Sequence, residues 1–262
     1  MPTDRILLLL STIAFLLGFI RVLADLAVGR FLHNWQHLCA NAAGFILQCG
    51  FLWMRGHVEG RCPLTSHFEV LVFTTWSLVL FYFLAGATLR ISLLGFFTAP
   101  LAFLIQAIAF WLITDPGPVL PKVGTHANPW VEMHAALSLM AYGAFGLAAI
   151  AGLMYFVQER MLKRHHIGGL FHAMPPIYLL SKALYRLLIL GLVLLTIGLL
   201  AAVGMAHLPS SPKLIISIAV WFGYAVLVFL DGTHLLSPRR SAVAAFVAFL
   251  LPVLTLWIVT GR

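Results

Sequence analysis

Long uninterrupted runs of apolar residues dominate the chain, with short polar breaks between them. The runs predict helices near 6–24, 35–54, 67–86, 91–113, 130–157, 183–205, 214–230 and 242–259. A helix crosses the hydrocarbon of a bilayer in roughly 20 apolar residues. Runs of this length are therefore spans rather than the helices of a soluble core. The expected fold is all-α: one polytopic membrane domain over residues 1–262, a bundle of about eight transmembrane helices.

Composition strengthens this reading. Of 262 residues, 62% are apolar and 9% are charged. A soluble surface needs about 25% charged residues, so much of this surface must face lipid. The net charge of +8 does not indicate nucleic acid. The basic residues sit at the ends of apolar runs, where membrane topology places them, and form no patch interleaved with aromatics. Cys39, Cys49 and Cys62 contain no C-x-x-C spacing and imply neither a disulfide framework nor a zinc site. Val22-Leu23-Ala24 resembles a signal-peptidase site. The flank before the run holds only Asp4 and Arg5, so a retained first helix is expected.

Lys and Arg set the orientation. With the N-terminus outside, ten fall on the inner side: Arg21, Arg30, Arg90, Arg160, Lys163, Arg164, Lys182, Arg186, Arg239 and Arg240. Six fall outside: Arg5, Arg55, Arg61, Lys122, Lys213 and Arg262. Both termini are expected outside. The outer loop 114–129 has four prolines and two glycines and predicts a non-helical cover. The inner segment 159–182, with Met174-Pro175-Pro176, predicts a stretch lying in the interface.

Polar groups inside a membrane are costly, so each invites a functional reading. The fifth helix opens Asn128-Pro129-Trp130-Val131-Glu132-Met133-His134, with Ser138 and Tyr142 following on the same face. The positions around them are small: Ala135, Ala136, Ala141, Gly143, Ala144, Gly146, Ala148, Ala149 and Gly152. That admits either a partner helix or a flat ligand. A neutral His134 imidazole either ligates a haem iron or bonds a neighbouring helix.

The third helix opens Arg61-Cys62-Pro63-Leu64-Thr65-Ser66-His67-Phe68-Glu69. Thr65 or Ser66 is the expected cap, with Thr65 and Glu69 roughly framing the start. Glu69 serves either the helix end or a ligand's polar edge. His57, His67, His126, His134 and His207 all fall on the expected outer side, where two of them suffice for both axial positions of one haem. Arg61, Lys122 and Lys213 are candidates to pair with haem propionates, or are interfacial anchors. His165, His166, His172 and His234 fall on the inner side, too far from the outer set to share a ligand across roughly 30 Å of hydrocarbon. A transporter would need polar groups at mid-membrane, and few are evident.

These segments resemble the CcsA-type cytochrome c assembly family. Residues 60–69 are similar to that family's third-helix start. Trp130 to Tyr142, W-x3-H-x3-S-x3-Y, resembles its conserved-histidine helix. Met174-Pro175-Pro176 through Leu184-Tyr185-Arg186, Gly191, Thr196 and Gly198 resembles a further stretch. Ser211-Pro212-Lys213 with Ser217, Trp221 and Tyr224 resembles the end of its tryptophan-rich signature.

The departures matter. The tryptophans expected before Pro212 are replaced by Gly204-Met205-Ala206-His207-Leu208-Pro209-Ser210-Ser211, and no histidine follows His234. The chain thus resembles the shorter YpjD and HemX branch more than a complete haem–cytochrome c synthase.

The resemblance implies a haem-handling protein of a bacterial-type plasma membrane, working with other assembly or haem-pathway proteins. His134 would be an axial ligand, His207, His126 or His67 would stand in for the second, and Glu69, Lys213, Trp221 and Trp130 would shape the site. A non-catalytic scaffold or regulator of a haem-pathway or respiratory complex is the alternative, docking through Arg160 to Arg164. No nucleophile–base pair or phosphate loop points to an independent enzyme.

Overall fold

A computed structural model describes residues 3–29, 34–64, 66–89, 94–111, 128–165, 170–171, 174–205 and 211–260. The side chains at 34, 67, 87–89, 211–214, 252 and 254–260 lie outside that description. The described residues form eight long helices: α1 (Thr3–Val28), α2 (Asn34–Glu59), α3 (His67–Leu89), α4 (Leu94–Trp111), α5 (Pro129–Lys163), α6 (Ile177–Val203), α7 (Ser211–Gly232) and α8 (Pro238–Thr260). Seven of them are long and apolar enough to cross a membrane. The protein is an all-α, multi-pass membrane protein.

Several helices outrun the apolar segments that predicted them. α5 begins where Asn128 caps it, its side chain accepting from the Trp130 N–H, with Pro129 at the first helical position. It continues to Lys163, well past the apolar run, and Lys163 pairs with Glu159 one turn earlier at 2.7 Å. α3 begins with a capping box. The Glu69 N–H donates to Ser66 Oγ and the Ser66 N–H donates to Glu69 Oε2, both at 3.2 Å. Ser66 and Glu69 frame this start, and Thr65 lies outside the described residues.

α5 is the central helix, running antiparallel to α6 and packing also on α3 and α8. Its small residues are occupied by these partners. Gly143 lies against Ser77 of α3, Gly146 against Leu78 of α3 and Phe249 of α8, and Gly152 against Ala242 of α8. Along α6 the contacts step in antiparallel register: Gly152 with Leu184, Phe145 with Gly191, Ser138 with Gly198 and Trp130 with Gly204. At these positions the stripe of small residues is a helix-packing surface. Phe145 fills the Gly191 notch and stacks on Tyr224 of α7, with 3.5 Å between ring centroids.

A second unit, α1 with α2 and α4, corrects the expectation that mid-membrane polarity is scarce. The buried residues of α1 are Leu8, Ser11, Phe15, Gly18, Val22 and Asp25, alternating in steps of three and four, the period of a helix–helix seam. Polar groups recur along this seam. Ser11 donates to the Gly44 carbonyl at 2.9 Å, and the Gln106 amide donates to Ser11 Oγ at 3.2 Å and accepts from Gln48. At one end, Asp25 takes Arg21 at 2.9 Å and His37 at 3.0 Å, with Asp25 and His37 only 4% and 2% exposed. Each polar residue was visible in the sequence. Their convergence required the tertiary fold.

Candidate functional site

The starts of α1, α3, α5 and α7 and the ends of α2, α4 and α6 share one end of the bundle. The contacts below fix this. His134 lies one turn inside that end on α5. Its Nδ1 is 2.7 Å from the carbonyl oxygen of Gly198 on α6. A carbonyl only accepts, so Nδ1 carries the proton, which leaves Nε2 as the lone-pair nitrogen of the neutral imidazole. This second bond is the kind that orients metal-bound histidines and raises their basicity. The close approach depends on Gly198, where an added Cβ would come within 3.0 Å of Ser138 Oγ.

Around this point α6 serves as a docking rail. Trp221 of α7 donates its indole N–H to Thr196 Oγ1 at 2.8 Å, two residues from Gly198. The Trp130 ring lies over Gly204, half exposed. The structure thus gathers His134, Trp221 and Trp130 onto a short stretch of α6. His67 and Lys213 stand in the first turns of α3 and α7 at the same end, with side chains outside the described residues. His126 and His207, and the expected proline-rich cover, lie outside the described residues.

Glu69 belongs to a different assembly. It is 1% exposed and accepts from Arg55 Nε at 2.8 Å. Arg55 also reaches Asp4 at 3.1 Å and Glu59 at 3.4 Å, and Arg61 meets Glu59 at 3.6 Å. Arg61 is thus engaged with a carboxylate of its own chain. The Cys62 N–H donates to Glu132 Oε1 at 3.1 Å, tying the α2–α3 turn to the start of α5. One guanidinium holds three helices together at this end, and Glu69 is a member of that network.

Burial pushes the Cys62 thiol above its ordinary value, and the nearby Glu132 and Glu69 carboxylates add to the shift. A raised pKa leaves less thiolate at a given pH. Alkylation of Cys62 at pH 8 is expected to run slower than that of a free thiol. Glu132→Gln should speed it. Mass-spectrometric alkylation kinetics would check both rates.

No group of three or more His, Cys, Asp or Glu side chains forms a metal cage among the described residues. Haem needs none, since the macrocycle supplies four donors and the protein one or two axial ones. The Nδ1 bond to Gly198 and the partial exposure of His134 fit such a role.

The cytochrome c assembly protein family model matches residues 64–260. The chain belongs to that family. The family match starts at the turn into α3, so α1 and all of α2 precede it. The chain is similar to the cytochrome c biogenesis protein CcsA of Mesostigma viride, 24% identical over 76% of this chain and 73% of that one. It is also similar to protein HemX of Brevibacillus brevis, 27% identical over 60% of this chain and 57% of the relative. Protein HemX of Bacillus subtilis is 26% identical over 60% of this chain and 55% of its own length. The chain thus spans little more than half the length of the HemX relatives. These likenesses support both the CcsA-type resemblance and its HemX-like branch.

Proposed function

We propose that the chain handles haem during cytochrome c assembly, binding it at the His134 end of the bundle. The observation that carries this reading is the His134–Gly198 bond, which turns Nε2 away from its partner carbonyl as an unprotonated donor. Haem would bring the axial coordination position that Nε2 fills. His134 holds the ligand atom, Gly198 fixes the tautomer, and Trp130 and Trp221 brace the same stretch of α6. His67, His126 or His207 would supply a second ligand. Lys213 would face a propionate.

The charge bias of the loops supports placing this end outside a bacterial-type plasma membrane, with both termini there. Other cytochrome c assembly or haem-pathway proteins would be the partners. The role is ligation and transfer, not independent catalysis.

The test is an absorption spectrum of the detergent-purified chain, loaded with haem, against His134→Ala. A Soret band reduced at least about tenfold in the variant is expected, as loss of a principal ligand costs several kcal/mol. An unloaded wild type under all conditions would instead favour the scaffold reading.

A further inference from the structure

At the opposite end of the bundle, a cavity of about 610 Å³ opens between α5, α6, α7 and α8. The haem reading makes no use of it. Its lining carries both signs of charge, Lys182 and Asp231, together with His234 and the hydroxyls of Ser181, Tyr185 and Ser237. Lys182 and Asp231 form no ion pair with each other, and Lys182 pairs with no carboxylate among the described residues. Asp231 is held in place by the Ser241 hydroxyl at 2.6 Å.

Two further features mark this place. His234 adopts a left-handed conformation, φ 58°, at the end of α7. The N–H groups of Leu235 and Leu236 there both bond back to the Leu230 carbonyl. Such a helix end normally takes glycine, and an imidazole kept there costs conformational energy. The cavity also adjoins the charged end of the bundle, where Glu159 meets Lys163 and Arg239. That depth is where lipid headgroups lie. Leu235, between the lining residues His234 and Leu236, is largely exposed and offers an apolar flank.

Among the described residues Lys182 has no carboxylate partner and Asp231 no cationic one, and a site of that kind fits a ligand that carries both charges. We propose that this cavity binds the headgroup of an aminophospholipid, its phosphate against Lys182 and His234 and its primary ammonium against Asp231. Basic pockets between transmembrane helices are known takers of lipid phosphates. The added carboxylate is what selects an ammonium that can donate hydrogen bonds. A quaternary choline ammonium has no such proton to give.

The experiment is native mass spectrometry of the full chain in detergent. Phosphatidylethanolamine, phosphatidylglycerol and phosphatidylcholine with identical acyl chains are supplied in equal amounts. Phosphatidylethanolamine adducts are expected to exceed phosphatidylcholine adducts about tenfold, the scale of one charge-assisted hydrogen bond. Asp231→Asn should bring that ratio to about one, and Lys182→Gln should weaken all three lipids, since both remove one arm of the charge pair. Ser241→Ala, which keeps the carboxylate, should preserve the preference and shows that packing changes alone do not erase it.

Equal adducts for all three lipids in wild type would overturn the proposal. So would an Asp231→Asn variant that keeps the preference. Soluble phosphoethanolamine competing as well as the lipid would assign the site to a free zwitterion instead. Hemin displacing the lipid would assign it to a porphyrin.

Discussion

Gly143→Leu is expected to abolish folding of the bundle. Gly143 is where α5 and α3 come closest, and a Cβ there would meet Ser77 Oγ and, at 2.8 Å, the Leu78 nitrogen and the Ser77 carbonyl carbon. Two of those atoms are backbone, so relief requires α3 itself to move. Overpacking a well-filled interior costs about 1–3 kcal/mol where side chains can shift. Here the figure is at least about 3 kcal/mol, a large share of a membrane bundle's margin. Gly223→Ala is the matched control, because an added Cβ there meets nothing within 4 Å. Yield of monodisperse protein after detergent extraction would separate the two. Full recovery of Gly143→Leu would show that α3 and α5 are not in this contact.

Arg55→Ala is expected to be nearly as damaging, for an electrostatic reason. Its guanidinium serves Asp4, Glu59 and Glu69 together, and Glu69 is buried. Removing one partner of a buried pair leaves an uncompensated charge, which costs about 3–5 kcal/mol. Asp4→Asn removes only one arm of the network, leaves the Glu69 pair intact and should cost less than Arg55→Ala. Thermal unfolding in detergent would rank the variants. Equal melting temperatures for Arg55→Ala and wild type would contradict the network.

The transmembrane helices were legible because a bilayer imposes a length that hydropathy reads directly. Their ends were less so. α2 runs to Glu59 and α5 to Lys163 because ion pairs with Glu69 and Glu159 draw charged turns into the helix, where an apolar count stops early. The seam of Ser11, Gln48 and Gln106 was illegible for a related reason. One amide per apolar run hardly changes its hydropathy, and each finds its partner from a distant helix. Glu69 read as either a cap or a ligand contact; the cap with Ser66 is local, whereas its pairing with Arg55 of α2 needed the tertiary fold. His134 was visible as a candidate, but its tautomer depends on Gly198, 64 residues away. The α6 glycines likewise acquire meaning only from Trp130, Ser138 and Phe145 facing them.

Chemical rescue tests His134 Nε2 as an iron ligand most directly. The His134→Gly variant is purified, loaded with haem, and its absorption spectrum recorded before and after adding imidazole. The expected result is a Soret band that is lost on substitution and returns when imidazole occupies the vacated position. A His134→Gly spectrum identical to wild type, with no response to imidazole, would contradict it.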